Sequence, residues 1–424
     1  MEKMNFYTPD GVQDVLYEEC SLKRSIEGKL RELFRSYAYR EIETPAIEYL
    51  EVFSTRENAF PAENMFKFFD DKGRVLVLKP DQTIPVARVA ASKLRKKEDI
   101  SKISYVTKTY RFAETGAGKQ REFTQAGCEL LNVSGSHADS EIIALAINSM
   151  LTAGISDFQI DIGQVDFFKG IMEESKLDEA TTETIRVLID KKDYLGLEET
   201  LSILDVRDDI RAQILNLPSY FGDMDVIDNL KSTTKNSRAQ KALENLKQTY
   251  DILRDYGLDK FVSFDLGMVQ SINYYTGIIF KGYTYGVGFP VLNGGRYDSL
   301  LDNFCVEMPA VGFSVDVNMI IKAVTRQNAG PSETAADTFV TYESGCIAQA
   351  YEIAAALRTQ GLAVEFDLNA GSVLPAGQRS KKRMIPGLIY VRKDGGISVI
   401  NNLTGESYET DMEELTGGTK CLNT

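Results

Sequence analysis

Two groups of side chains are of types that bind small molecules. The stretch VQSINYYTGIIF sets Tyr274 and Tyr275 before a Thr-Gly turn and an apolar run, as in the wall of a pocket. Alternation along a strand would turn one tyrosine toward that pocket and the other away, and simple core packing is the alternative. Gln125 and Glu129 are four residues apart, which places both on one face of a strand. They predict a shared polar pocket, with a solvated sheet edge as the alternative.

Phosphate chemistry is poorly supported by the glycine-containing segments. In TGAGKQ, the glycine required five positions before Gly118 is Ala113, and Gln120 replaces the hydroxyl residue after Lys119. A mobile hairpin is the better interpretation of this segment. The glycines of NGGRYD suit a sharp bend, and we predict that Arg296 binds a nearby carboxylate rather than a nucleotide.

Metal and thiol chemistry are disfavoured by residue counts. The chain has one histidine, His137, in the polar stretch VSGSHADS, and five scattered cysteines that form no C-x-x-C pair. A single imidazole excludes His-rich metal sites and any mechanism that needs two imidazoles. We therefore predict a surface histidine, reduced structural thiols, no metal and no cofactor.

Composition and charge limit the classes of partner. Of the 424 residues, 43% are hydrophobic and 26% are charged, which is typical of globular domains, and the length suggests two or three of them. The formal net charge of -14 repels phosphate backbones, so nucleic acid is disfavoured. The first residues lack a signal-peptide pattern, and no later run approaches a membrane span. We expect a cytoplasmic protein that does not bind a membrane.

The elements that would position these residues form a mixed α and β pattern. Apolar spacing of three and four from Ser21 to Tyr37 predicts an amphipathic helix, and DDKG predicts a hairpin turn. A charged helical pattern from about 167 to 258 suggests a helical insertion in a mixed-sheet domain. Beta character returns from Lys260 and is predicted to end at PAVGFSVDVNMIIKAV.

The last part of the chain is predicted to be separate. A stretch rich in Gly, Pro, Ser and Asn marks a linker at 326–337, and the alternation beyond it suits a small α/β domain at 338–424. Residues 1–325 then form the larger domain, which contains the insertion.

Several stretches, in order, resemble the signature segments of histidyl-tRNA synthetases. They are LKPDQT, YRFAETGAGKQREFTQAGCE, INYYTG, NGGRYDSLL and PAVGFSV, and the amino-terminal TPDGVQD also fits. The resemblance covers nearly the whole chain. It implies an α+β fold with a class II aminoacyl-tRNA synthetase-like core, a mixed and antiparallel sheet, and a small C-terminal module like an anticodon domain.

The same resemblance implies a pocket like the one that holds histidine in the synthetases. Its residues here are Asp81, Thr83, Arg111, Gln125, Glu129, Tyr274 and Tyr275. Anionic side chains suit an ammonium group and an imidazole N–H. Asp81 replaces a glutamate one carbon longer, which suggests that a bridging water completes its contact.

The groups that activate ATP in the synthetases are mostly replaced. Of three arginines that attend the triphosphate in that family, only Arg111 is present, because Gln270 and Met319 occupy the other two positions. Ala113 and Glu114 replace a glutamate and a basic residue of the second motif. An amide and a thioether cannot stabilise a transferring phosphate, so ATP activation is not expected.

A histidine pocket without adenylation cations is similar to the regulatory subunits of ATP phosphoribosyltransferase, and LKPDQTIPVARVAA is especially close to that family. These are synthetase paralogues that perform no aminoacylation and assemble with a short-form catalytic subunit in the first step of histidine biosynthesis. The resemblance implies feedback by histidine, no tRNA partner, and a homodimer within a hetero-octamer. A divergent active synthetase and a free-standing histidine sensor are the alternatives. Histidine could bind in this pocket or at a subunit interface.

Overall fold

The structure is a computed structural model that describes residues 6–54, 60–94, 100–112, 120–269, 275–327, 336–369 and 373–416. The chain divides into two compact units, residues 1–330 and 331–424. In the described part of the chain, no helix is both long and apolar enough to cross a membrane.

The strands of the described residues are numbered along the chain. They are β1 (Arg40–Glu41), β2 (Ile47–Tyr49), β3 (Lys67–Phe69), β4 (Val75–Leu78), β5 (Ser101–Tyr110), β6 (Glu122–Leu131), β7 (Phe158–Gln164), β8 (Phe221–Gly222), β9 (Val262–Asp265), β10 (Ile278–Thr284), β11 (Leu292–Arg296), β12 (Ala310–Asp316), β13 (Thr338–Tyr342), β14 (Val364–Phe366), β15 (Gly387–Val391), β16 (Ile397–Asn401) and β17 (Ser407–Thr410).

The α-helices are numbered in the same way. They are α1 (Tyr17–Ser36), α2 (Thr83–Val89), α3 (Ser136–Thr152), α4 (Val165–Ser175), α5 (Glu179–Asp190), α6 (Tyr194–Ser202), α7 (Asp208–Asn216), α8 (Met224–Thr233), α9 (Ser237–Asp255), α10 (Val317–Arg326), α11 (Ile347–Thr359), α12 (Val373–Lys382) and α13 (Met412–Thr416).

The first unit is built on a nine-stranded sheet in the order β1-β5-β6-β12-β11-β10-β7-β9-β8. The β1–β5 and β7–β9 pairs are parallel, and the other neighbours are antiparallel. A separate three-stranded sheet has the order β2-β4-β3. The DDKG hairpin is confirmed, because Asp70 Oδ1 accepts hydrogen bonds from the N–H groups of Lys72 and Arg74 between β3 and β4. The predicted α+β class is also confirmed.

Helices α4 to α9, here called the helical segment, lie between β7 and β9 in the chain. Their sequences are charged but amphipathic, so each helix can bury one apolar stripe. Ile185, Leu197, Ile210 and Leu243 are fully or almost fully buried in the same core cluster as residues of β7, β9 and β10. The helical segment therefore packs into the core beneath the sheet, and β8 adds to the sheet edge beside β9.

The predicted β region ends within PAVGFSVDVNMIIKAV, but the sequence analysis did not separate the strand from the helix that follows it there. Strand β12 ends at Asp316 and helix α10 begins at Val317. The side chain of Asp316 accepts a hydrogen bond of 3.0 Å from the N–H of Met319, which caps the first turn of the helix. This cap overrides the β-branched residues that follow.

The second unit has a five-stranded sheet in the order β14-β13-β15-β16-β17. Its first three strands are parallel, and β16 and β17 are antiparallel additions. Helix α11 contributes Ile353, Ala354 and Leu357 to one buried cluster, and Ala376 of α12 joins a second cluster with Phe339. The unit thus has the layered α/β arrangement that its alternating sequence predicts.

Candidate functional site

A cavity of about 370 Å³ lies beside strands β6, β11 and β12 of the first unit. This volume is within the range of roughly 300–1,000 Å³ that is usual for small-molecule sites. Its lining combines acidic, amide, hydroxyl and aromatic side chains. The lining residues are Asp81, Thr83, Arg111, Gln120, Phe123, Gln125, Glu129, Tyr275, Phe289, Pro290, Asn293, Tyr297, Gly312, Phe313, Ser314, Asp316 and Met319.

The structure brings together most of the residues that the sequence selects. Asp81, Thr83, Arg111, Gln125, Glu129 and Tyr275 all line the cavity. Tyr274 lies outside the described residues, as do Gln270, Ala113 and Glu114. That the cavity holds histidine stays a prediction.

The placement of Tyr275 corrects one prediction. Strand β10 begins at Ile278, so Tyr275 precedes the strand and does not alternate along it. Its ring packs against Gly295 of β11: a Cβ added at that glycine would lie 2.7 Å from the ring carbon Cδ1. The glycine at that position is therefore required by the close approach of the tyrosine ring. Because Tyr275 is 9% exposed and lines the cavity, it forms part of the wall without belonging to the strand.

Glu129 is the most enclosed acid of the cavity, with only 1% of its surface exposed. The hydroxyl of Tyr105 donates to Oε1 at 3.1 Å, and the hydroxyl of Tyr297 donates to Oε2. Gly312 faces the carboxyl group from β12, where a Cβ would lie 1.6 Å from Oε2. Only glycine fits beside the carboxyl at this register, because Gly312 pairs directly with Glu129.

Burial raises the pKa of Glu129 from 4.5 to about 8, against the opposing effect of the hydrogen bonds from Tyr297, Thr83 and Tyr105. The nearby charge of Asp81 adds to the increase. The carboxyl group is therefore mostly protonated at neutral pH. A ligand ammonium that binds to it would favour the carboxylate and release a proton.

This protonation predicts a pH-dependent stability difference between the wild type and Glu129→Gln. The folded-state pKa lies above the unfolded value, so the stability contributed by the carboxyl is complete below about pH 4 and is lost as the pH rises through about 8. The variant lacks this titration. Its free energy of unfolding, relative to the wild type, should therefore rise on the order of a few kcal/mol from about pH 5 to about pH 9. Urea denaturation measures this difference, and parallel pH curves would contradict the protonated carboxyl.

Asp81 is turned toward its own helix. Its Oδ1 accepts hydrogen bonds from the N–H groups of Thr83 at 2.8 Å and Ile84 at 3.3 Å, at the start of α2. The other oxygen lies 3.9 Å from Nη2 of Arg111. A short aspartate side chain reaches these backbone groups easily, which is why aspartate is common at helix starts. One carboxylate oxygen of Asp81 is thus hydrogen-bonded to the helix, and the other faces Arg111.

Positive charge in the cavity is scarce. Among the described lining residues, Arg111 is the only basic one. Its Nε donates to the carbonyl of Pro80 at 2.9 Å, and its guanidinium carbon lies 5.1 Å from the ring centre of Phe123. Met319, at the position of a synthetase arginine, lines the same cavity with a thioether. Among the lining residues that the structure describes, one cation beside three acidic side chains does not suit a triphosphate.

The site also includes residues that the sequence did not single out, chiefly Tyr105 and Tyr297, which hold Glu129 from two sides. Gln125 and Glu129 do share one face of β6, as predicted. The buried Oε1 of Gln125 has no hydrogen-bond partner among the described residues, and its Nε2 is 3.5 Å from the hydroxyl of Ser314. An acceptor left open beside a cavity suits a ligand with an N–H group.

Arg296 has a structural role, as predicted. Its guanidinium binds Asp139 Oδ1 through Nε at 2.9 Å and Nη2 at 2.7 Å, and also contacts Asp298. His137 is exposed, as predicted, and lies in the first turn of α3.

The chain is similar to known proteins in both sequence and fold. The family model of histidyl-tRNA synthetase matches residues 11–320. A solved structure described as an ATP phosphoribosyltransferase regulatory subunit/histidyl-tRNA synthetase from Bacillus halodurans is 30% identical, with a TM-score of 0.82. The match covers 92% of this chain and all of that one.

Curated relatives are more similar in sequence. The ATP phosphoribosyltransferase regulatory subunit of Acetivibrio thermocellus is 49% identical over 98% of this chain and 99% of its own length. The protein of the same name from Ruminiclostridium cellulolyticum is 46% identical over 97% of this chain and 99% of its own length. The chain therefore belongs to the family of ATP phosphoribosyltransferase regulatory subunits, which share the class II fold of histidyl-tRNA synthetases.

Proposed function

We propose that this chain is the non-catalytic regulatory subunit of a hetero-oligomeric ATP phosphoribosyltransferase. It binds a short-form catalytic subunit, is required for the activity of the complex, and confers feedback by histidine on the first step of histidine biosynthesis. The observation that carries the proposal is the cavity itself: it keeps the polar groups of an amino-acid pocket, but Arg111 is its only described cation. The chain is also 49% and 46% identical, over nearly its full length, to two proteins of that name, which supports the same role.

We propose histidine as the ligand of the cavity. Its α-ammonium would lie against Glu129 with Gln125 beside it, and Tyr275 would line the imidazole slot. Arg111 is the cation available for its carboxylate. The unpartnered Oε1 of Gln125 supports a ligand that brings a hydrogen-bond donor into this space.

The assembly follows from the same proposal. We propose a homodimer within a hetero-octamer, without a tRNA partner, in the cytoplasm. The proposed organisation of the chain is a class II core at 1–325 with an insertion at about 167–258, a linker at 326–337 and a C-terminal domain at 338–424. The net charge of -14 supports a protein partner over a nucleic acid.

Pyrophosphate exchange separates this proposal from an active synthetase. We expect no histidine-dependent exchange of pyrophosphate into ATP above a no-enzyme control, because Gln270 and Met319 cannot neutralise the charge that develops on the α-phosphate. A bacterial histidyl-tRNA synthetase assayed in parallel provides the positive control. Clear exchange by this chain would support the divergent synthetase instead. The result that would directly support the regulatory function is an increase in the reaction rate of a short-form catalytic subunit when this chain is added.

A further inference from the structure

A short stretch of chain, Leu266–Val269, lies between the helical segment and the cavity. Its two last residues belong to different parts of the core. Met268 packs in the cluster that contains Tyr275, whereas Val269 packs in the cluster that contains the buried residues of the helical segment. Only five residues of sequence separate Val269 from Tyr275. The stretch is therefore one place where the cluster that contains the helical segment meets the cluster that contains Tyr275.

The helical segment and the turn that follows α7 contact this stretch at three of its four residues. The N–H of Leu266 donates to the carbonyl of Tyr220 at 3.0 Å. At Gly267, an added Cβ would lie 2.9 Å from the Cα of Pro218, so the two backbones are in close contact. Nη1 of Arg186 then donates to the carbonyl of Val269 at 3.1 Å.

Arg186 is the one charged side chain in this set of contacts, and it is held in place. Its Nε donates to Glu183 Oε2 at 2.7 Å, and its Nη2 donates to Oε1 at 2.5 Å. The arginine side chain is only 15% exposed. A guanidinium fixed by a two-point carboxylate contact can present its remaining N–H groups in a defined direction. Here that direction is the Val269 carbonyl.

Thr276, the residue after Tyr275, is also held by hydrogen bonds. The N–H of Thr276 donates to the carbonyl of Arg296 at 2.8 Å, and the Thr276 hydroxyl accepts from the N–H of Asp298 at 2.9 Å. Tyr275, immediately before, lines the cavity. Tyr275 is thus constrained from β11, and Met268, the neighbour of the Val269 that Arg186 holds, packs in the same apolar cluster as Tyr275.

We propose that Arg186 is a positioning residue for the cavity: by holding the Val269 carbonyl, it couples the helical segment to the placement of Tyr275. The ligand named in the test, histidine, rests on the function proposed above, but the coupling does not. A consequence is reciprocity. Any partner that displaces α5 changes ligand affinity at the cavity, and the ligand changes the affinity of that partner by the same factor.

The test compares Arg186→Ala with Arg211→Ala. Arg211 is a matched control because its Nη2 donates to the carbonyls of Leu204 and Val206, at 3.0 and 3.3 Å, entirely within the helical segment. Two quantities are measured on the full chain. One is the dissociation constant for histidine by calorimetry, and the other is amide hydrogen exchange of peptides that cover Tyr275 to Phe280.

We expect Arg186→Ala to weaken histidine binding roughly two- to thirtyfold, the range for residues that modulate a site without touching its ligand. Exchange at the start of the Tyr275–Phe280 peptide should be faster, while Arg211→Ala leaves both quantities at wild-type values. Arg186→Lys keeps a cationic donor without the two-point contact, so it should fall between wild type and alanine. It serves as the measured variant if the alanine protein does not fold.

The outcomes are distinguishable. Wild-type exchange in the Arg186 variants, or faster exchange with unchanged histidine affinity, overturns the coupling. Equal effects of Arg186→Ala and Arg211→Ala also overturn it, because they would indicate general destabilisation. If the wild-type chain binds no histidine, the ligand assignment fails, and hydrogen exchange alone decides whether Arg186 positions the segment.

Discussion

Glu129→Gln is expected to raise the histidine concentration that half-inhibits the assembled enzyme by about ten- to a hundredfold. A hydrogen bond between charged groups contributes roughly 1.5–3 kcal/mol, and the variant replaces it with a neutral one. The pKa of Glu129 is about 8, so at lower pH the carboxyl must lose its proton before it can attract the ammonium, and the binding free energy is reduced by that cost. The largest effect is therefore expected near pH 8 to 9. Inhibition curves, each normalised to the uninhibited rate, measure the shift.

Glu141→Gln is the matched control for this experiment. Glu141 also accepts from a tyrosine hydroxyl, that of Tyr39 at 3.0 Å, and binds Lys102 at 2.6 Å, but it does not line the cavity. Its inhibition curve should coincide with that of the wild type. If Glu129→Gln leaves the curve unchanged in an intact complex, the regulatory histidine binds outside this cavity, and the subunit interface becomes the place to search.

Local patterns in the sequence were sufficient for many elements. The DDKG hairpin was predictable because Asp70 organises the turn through its own neighbours. The shared face of Gln125 and Glu129 followed from the two-residue period of a strand. By contrast, the change from β12 to α10 was missed, since the apolar residues after Asp316 suit either structure. The aspartate cap that decides between them was readable in principle as a helix start.

The candidate site was predictable only in part, for a different reason. Tyr105 reaches Glu129 because β5 pairs with β6, and Tyr297 arrives from the end of β11 beyond β12. Pairing between strands that are far apart in the chain cannot be predicted from the hydrophobic periodicity of any single stretch. The orientation of Asp81 could not be predicted from the sequence either, because a carboxylate near a helix start can cap the helix or face a ligand. The backbone N–H groups of α2 take one of its oxygens here.

The same distinction applies to Tyr275. A Tyr-Tyr pair before an apolar run suggested a strand, but the strand starts only at Ile278, and the close contact with Gly295 of β11 places the Tyr275 ring. The function of the tyrosine as a cavity wall was recoverable from residue type, whereas its local structure depended on a neighbour twenty positions away in sequence.

In the proposed function, this chain activates a catalytic subunit. The most direct measurement is the initial rate of condensation of ATP with phosphoribosyl pyrophosphate at a fixed concentration of a short-form catalytic subunit, as this chain is titrated into the assay. We expect a saturable rise to a rate well above that of the catalytic subunit alone, with co-elution of the two proteins on sizing at micromolar concentration. A rate that stays at the level of the catalytic subunit alone throughout the titration, when that subunit is activated by its own regulatory partner in parallel, would contradict the proposed function.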